Sequence, residues 1–202
     1  MRSRPLGLLL SGPLGLGLAE SGAVRKASED ISIVIAIGDT PGLSDDYKKN
    51  ITDILLAQGL DTMSETSVTA SADVFLCVGW RKLIDVDDPD KRVFVVHDSL
   101  LPALRGWNPL VTAVELGLET TGITVFLAEK GPDTGPIFAQ QSFLLGDGVS
   151  IGTAIQRAGS LLPELFMKFI GSLVTNQMEL QEQADSGGQR NSSGSIISLG
   201  LR

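Results

Sequence analysis

The run Ile31–Ile37 (ISIVIAI) constrains this chain most. It is rich in β-branched residues and apolar except for Ser32. A strand with no polar face must be covered on both sides, which is the condition inside a parallel sheet flanked by helices. Leu6–Leu10, Asp73–Gly79 (DVFLCVG) and Arg92–Val96 (RVFVV) repeat the pattern, and Ile123–Ala128 and Ile137–Leu144 add two more strands. Helical spacings separate them. Strands alternating with helices predict an α/β chain: a three-layer, mostly parallel twisted sheet with helices on both faces.

The connections carry local signals. Gly38–Gly42 reads as a turn, and Ser44 can cap a helix that starts with Asp45 and Asp46. Tyr47, Ile51, Ile54, Leu55 and Gln58 follow helical spacing up to Gly59. Pro109 suits the first position of a helix running to about Gly117, with Asn108 as its cap. A long apolar stripe runs from Ile151 to Leu173, and Pro163 is expected to kink or restart that helix. Residues 1–178 read as one domain. Residues 179–202 read as a flexible tail rich in Gly, Ser and Gln, in which Ser195–Leu201 could form a strand if it docks.

The basic tip before Leu6–Leu10 resembles a signal peptide, but Gly7, Gly12, Pro13, Gly15 and Gly17 interrupt the apolar stretch and favour a first strand. No window reaches the ~20 apolar residues that span a bilayer. Sixteen Lys and Arg against 24 Asp and Glu leave a net charge of −8. Such a chain has no basic excess for extended nucleic-acid binding. One cysteine, Cys77, excludes an intrachain disulfide and fits a reducing, cytoplasmic compartment. One histidine, His97, excludes zinc sites built on several His and Cys ligands, and no metal is expected. Any imidazole proton transfer near neutral pH falls to His97.

Ligands of open α/β sheets sit beyond the carboxyl ends of the strands. Two such ends stand out, Gly79–Ile84 and His97–Gly106. His97 directly follows the fourth strand, where a side chain points into the crevice.

His97-x-Ser-Leu-Leu-Pro-x-x-Arg-Gly, then Gly122-x-Thr-Val, then Asp133-Thr-Gly-Pro-Ile resembles the formyltransferase family, which includes methionyl-tRNA, glycinamide ribonucleotide and sugar-nucleotide formyltransferases. Asp133 follows His97 by 36 positions, the spacing this resemblance implies. The motif block covers about residues 94–142, and weaker similarity extends over roughly residues 6–175. The implied fold is Rossmann-like. The implied reaction moves a formyl group from N10-formyltetrahydrofolate to an amine. The amine loses a proton and the leaving folate nitrogen gains one, so one imidazole can serve both transfers. The resemblance gives that role to His97 and makes Asp133 its carboxylate partner. The family's Asn-x-His, whose amide helps stabilise the oxyanion, is replaced by Val95-Val96-His97. His97 or a backbone N–H could hold the oxyanion alone, Asn108 could reach in, or efficient transfer has been lost.

The resemblance also assigns the folate pocket. Trp80, Arg81, Lys82, Leu83 and Ile84 would wrap the pterin, with Trp80 as a flat apolar face or simply a core aromatic. Arg81 or Lys82 would meet the anionic glutamate tail or remain solvated surface charges. The loop from Glu129 to Gly135 would close over the pterin, through Gly131, Thr134 and Gly135. Gly12 in the turn after the first strand, Asp98, Ser99, Arg105 and Asn108 are the candidate substrate contacts. Only 24 residues follow Met178, too few for the second, tRNA-gripping domain of methionyl-tRNA formyltransferases. With the acidic balance, this makes a small amine, such as an amino sugar on a nucleotide, the expected acceptor. Hydrolysis of formyltetrahydrofolate and non-catalytic folate binding are the alternatives. A homodimer paired through the tail is a further possibility.

Overall fold

The computed structural model describes residues 4–40, 46–82, 84, 86–184 and 194–197. The elements run β1 (Leu6–Leu10), α1 (Gly12–Glu20), α2 (Ala23–Ala27), β2 (Ile33–Ile37), α3 (Tyr47–Ala57), β3 (Thr62–Met63), α4 (Glu65–Ser71), β4 (Val74–Val78), β5 (Arg92–His97), α5 (Pro109–Glu115), β6 (Thr120–Leu127), β7 (Ile137–Leu144), α6 (Ile151–Thr175), β8 (Met178–Gln181) and β9 (Gly194–Ile197).

All described strands join one sheet in the order β3-β2-β1-β4-β5-β6-β7-β8-β9. The strands from β3 to β5 pair in parallel. Every pairing from β5 to β9 is antiparallel. Strands β7 and β9 therefore run with the parallel set, and only β6 and β8 oppose it. The sheet is mostly parallel, as the apolar runs predict. Leu6–Leu10 is a central strand, hydrogen-bonded on one side to β2 and on the other to β4.

Alternate residues of each strand face two unequal cores, as the period of two dictates. Leu8, Leu10, Leu76, Phe94, Val96 and Val125 face the larger one, beneath α1, α2, α3, α5 and α6. There Phe169 of α6 meets Phe94 and Phe138 edge to face, with ring centroids 5.0 and 5.6 Å apart. Leu9, Phe75, Cys77 and Val93 face the smaller core, closed by Val68 of α4 and by Trp80, Ile84 and Val86.

Three elements differ from the sequence reading. Strand β6 begins at Thr120, three residues before Ile123, because β-branched Thr120 and Thr121 pair with Leu144 and Phe143 of β7. Helix α6 does not restart at Pro163; it is continuous from Ile151 to Thr175. A mid-helix proline costs roughly 3 kcal/mol. Buried Leu162, Leu165, Phe166 and Phe169 on both sides of it hold the helix on the sheet and offset that cost. The tail contributes strands: β8 pairs with β7 and β9 pairs with β8. The boundary expected at residue 178 thus falls at the start of a sheet strand. Most of Ser195–Leu201 and the capping residue Ser44 lie outside the described residues. Asp46 caps α3, its carboxylate accepting from the Lys49 N–H at 3.1 Å.

Candidate active site

Strand order reverses between β1 and β4. The chain moves outward from β1 to β2 and β3, then returns to place β4 and β5 on the other side. Such a switch point opens a crevice at the carboxyl ends. Ser11 and Gly12 leave β1 there, Gly79 and Trp80 leave β4, and His97 ends β5.

His97 is buried beneath this crevice, its side chain 7% exposed. It lies opposite Thr124 in the β5–β6 register and meets Phe126 edge to face at 6.3 Å. Its Nε2 is 3.0 Å from the Leu104 carbonyl. A carbonyl can only accept, so this contact keeps a proton on Nε2. Nδ1 then faces the Asp133 Oδ2 at 3.6 Å, a charge-pair distance. The same Oδ2 accepts a hydrogen bond of 2.7 Å from the Gly106 N–H. The loop after β5 therefore holds both partners, with the Leu104 carbonyl on the imidazole and the Gly106 amide on the carboxylate.

Thr124 fixes that loop from below. It is fully buried, and its hydroxyl donates to the Ser99 carbonyl at 2.7 Å. It accepts from the Leu101 N–H at 3.1 Å and from the Gln140 amide at 2.8 Å. Gln140 also donates to the Leu101 carbonyl at 2.8 Å. Two residues earlier, a Cβ on Gly122 would lie 2.3 Å from the Gln141 carbonyl oxygen and 2.5 Å from Leu100. The Gly-x-Thr spacing is thus a packing and hydrogen-bonding platform under the His97 loop. Gly135 is as constrained, since a Cβ there would lie 1.8 Å from the Leu127 carbonyl oxygen.

The other expected site residues divide. Asp98 stands beside His97, and burial pushes its carboxyl above the usual range. A hydrogen bond from its own backbone and the nearby His97 and Arg81 oppose that rise, and Asp133 adds to it. Ser99 is not open to the crevice: it is 1% exposed and its hydroxyl donates to the Ala103 carbonyl at 2.7 Å. Arg105 does not point a free guanidinium at the crevice. Its Nε and Nη2 donate to Gln183 Oε1 at 3.1 and 2.6 Å. Asn108 is exposed in a left-handed conformation, and its side chain makes no cap bond to α5. Gly12 opens α1 at the crevice, and neighbouring Ser11 donates to the Gly79 carbonyl at 2.5 Å rather than capping the helix.

Trp80 forms one wall, with its ring edge so near Gly38 that a Cβ there would lie 2.8 Å away. Its indole N–H is buried and has no hydrogen-bond partner among the described residues. Ile84, Val86, Val95 and Ala128 adjoin it in the smaller core. Val95 packs among apolar groups and offers no donor. Lys82 is tied to Glu65 at 2.6 Å, which raises its ammonium pKa, and lies 5.6 Å from the Trp80 ring centroid. Arg81 is exposed, and Leu83 lies outside the described residues. In the closing loop, Gly131 packs against Thr134, both half-buried, while Gly135 is buried. Gln183, Thr124 and Gln140 were not among the expected site residues. Thr124 sits inside a motif that marks it, whereas Gln183 lies in what reads as tail.

A family model described as formyl transferase matches residues 24–170. The chain belongs to the formyl transferase family. It is 26% identical over 179 residues to a methionyl-tRNA formyltransferase of Albidiferax ferrireducens, covering 87% of this chain and 53% of that relative. The chain thus spans about half the length of that curated relative. In structure it is similar to glycinamide ribonucleotide transformylase 1 of Symbiobacterium toebii, with a TM-score of 0.67 at 18% identity, covering 87% of this chain and 90% of that one. It is also similar to an N-formyltransferase of Helicobacter canadensis in complex with folinic acid and dTDP-3-aminofucose. That match has a TM-score of 0.70 at 17% identity and covers 92% of this chain and 69% of that one. At these identities the structural likenesses establish the shared α/β fold.

Proposed function

We propose that this formyl transferase family member moves a formyl group from N10-formyltetrahydrofolate to the amine of a small molecule. The pairing of buried His97 with half-buried Asp133 at the carboxyl end of β5 carries this reading. When bound, the folate supplies the electrophilic formyl carbon. The chain offers it a fitting wall: the flat face of Trp80, its unpartnered buried N–H, and apolar Ile84, Val86 and Val95. The Glu129–Gly135 loop meets the segment after β4 through the Lys130–Asp87 ion pair at 3.3 Å.

His97 takes the proton that the attacking amine loses and returns one to the departing nitrogen. Such general acid–base catalysis typically contributes ~10²–10⁴-fold. Asp133 faces Nδ1 at 3.6 Å and sets a negative charge beside the imidazolium formed between the two steps. As imidazolium, His97 also places positive charge where the formyl oxygen gains negative charge, the task left open by Val95. An amino sugar on a nucleotide is the acceptor class we favour. The acidic net charge disfavours a polynucleotide, and the Helicobacter canadensis neighbour holds a nucleotide-linked amino sugar. No helix among the described residues is long and apolar enough to cross a membrane. With a lone buried thiol at Cys77, this fits a cytoplasmic protein.

The reading is tested by incubating the protein with formyltetrahydrofolate and candidate amines and weighing the products. An amine heavier by one formyl group is expected with wild type and absent with His97→Ala. Formate released without any amine would make the protein a hydrolase instead.

A further inference from the structure

The Gln183 side chain, two residues past β8, makes four hydrogen bonds. Its Nε2 donates to the carbonyls of Asp133 and Gly135, each at 2.8 Å. Its Oε1 accepts from Arg105 Nε at 3.1 Å and Nη2 at 2.6 Å. Two donors and two acceptor sites are the whole capacity of a carboxamide. A half-buried glutamine so completely paired holds one orientation.

Its partners bracket the catalytic pair. Arg105 lies between Leu104, whose carbonyl meets His97, and Gly106, whose N–H meets Asp133. Asp133 and Leu104 have φ of 52° and 54°, in the left-handed region. Such backbone is uncommon for residues other than glycine and persists only where surrounding contacts over-determine it. Gln183 bonds the backbone of Asp133 itself. Register explains how it arrives there. Gln181 pairs with Ile137 at the start of β7, and the antiparallel chain beyond it runs alongside Gly135 and Asp133.

We infer that Gln183 is a positioning residue that clamps the Asp133 loop to the His97 loop and keeps the carboxylate facing the imidazole. Arg105 is the second half of this clamp. The catalytic unit therefore extends past residue 178 to Gln183. The catalytic consequence rests on the formyl transfer proposed above, whereas the clamp itself does not.

Two variants separate its halves. Gln183→Glu keeps an acceptor for Arg105 but turns an oxygen toward two carbonyl oxygens. Gln183→Met removes both halves. Amide hydrogen exchange read by NMR reports the clamp without substrate, because the Gly106 N–H bonds the Asp133 carboxylate. In both variants Gly106 is expected to exchange at least about tenfold faster while Leu9 and Leu76, in the central strands, keep wild-type rates. In turnover, kcat should fall about 10–100-fold, with KM for the folate within about twofold, as expected when a catalytic group is misplaced rather than a ligand lost. Wild-type Gly106 exchange in both variants would overturn the clamp. Faster exchange at Gly106, Leu9 and Leu76 alike would overturn it in favour of a general structural role. Faster Gly106 exchange with unchanged kcat would overturn its part in catalysis. A wild-type protein that transfers no formyl group would defeat the proposed function, and Gly106 exchange would still decide the clamp.

Discussion

Two side chains on β5 set what this site can do. His97 is held through one nitrogen by a backbone carbonyl and faces a carboxylate with the other. Val95, two residues earlier on the same strand, stands where the Asn-x-His pattern places an amide, and it packs among apolar groups. Removing one oxyanion donor typically costs ~10²–10³ in turnover. Val95→Asn should recover part of that, raising kcat about 10–100-fold if the new amide reaches the developing charge. The same change puts an amide into an apolar cluster, which costs about 1–3 kcal/mol where its hydrogen bonds are not replaced. Steady-state kinetics and a urea midpoint on the one variant read both effects, which are expected to run in opposite directions. The pairing of His97 with Asp133 was legible in the sequence because each lies inside a spaced motif. The internal partners of Ser99 and Arg105 were not, because residue type cannot show that a hydroxyl or a guanidinium is already hydrogen-bonded within the chain.

Among the elements, the β5–β6 pair and the loop between them matter most. Thr124 reaches from β6 into that loop through two hydrogen bonds, accepts a third from Gln140 of β7, and occupies a fully buried position. Thr124→Val keeps the shape and deletes the hydroxyl. The Leu101 N–H then loses its partner, and a buried group left unsatisfied costs about 1–3 kcal/mol. The urea midpoint should fall accordingly. Formyl transfer should fall further than stability alone explains, because Leu101 belongs to the loop that carries Leu104 and Gly106. Strands were the most legible elements: Leu6–Leu10 and Ile137–Leu144 form as their patterns predict. Short α2, β3 and α4 carry little periodicity of their own and are held by packing against longer neighbours. Pro163 shows the converse, a strong local breaker overruled by the buried stripe around it.

For the whole molecule, the question is which ligands the crevice accepts. A ligand that binds only the folded state raises its stability by mass action, by about 2.7 kcal/mol at a hundred times its Kd. Folates are expected to raise the thermal midpoint of the wild-type protein in a concentration-dependent way. Nucleotide-linked amino sugars should add to that shift if they bind the same folded state. Replacing Trp80 by Ala should reduce the folate shift and leave a nucleotide-sugar shift in place. A thermal-shift series with the two ligand classes, alone and together, reads all of this.

The sequence by itself determined the layered α/β architecture, the family and the pairing of His97 with Asp133. Each is written in local terms: β-branched runs, helical spacing, and motifs whose residues lie within about forty positions of one another. Tertiary structure alone decided what those residues touch. Gln183 reaches Asp133 and Arg105 across 50 and 78 positions because β8 runs beside β7. Lys82 meets Glu65 because the segment after β4 passes over α4. Strand order and register bring such groups together. They arise from how the whole chain shares out its apolar surface between two sides of one sheet, and no local window contains that balance.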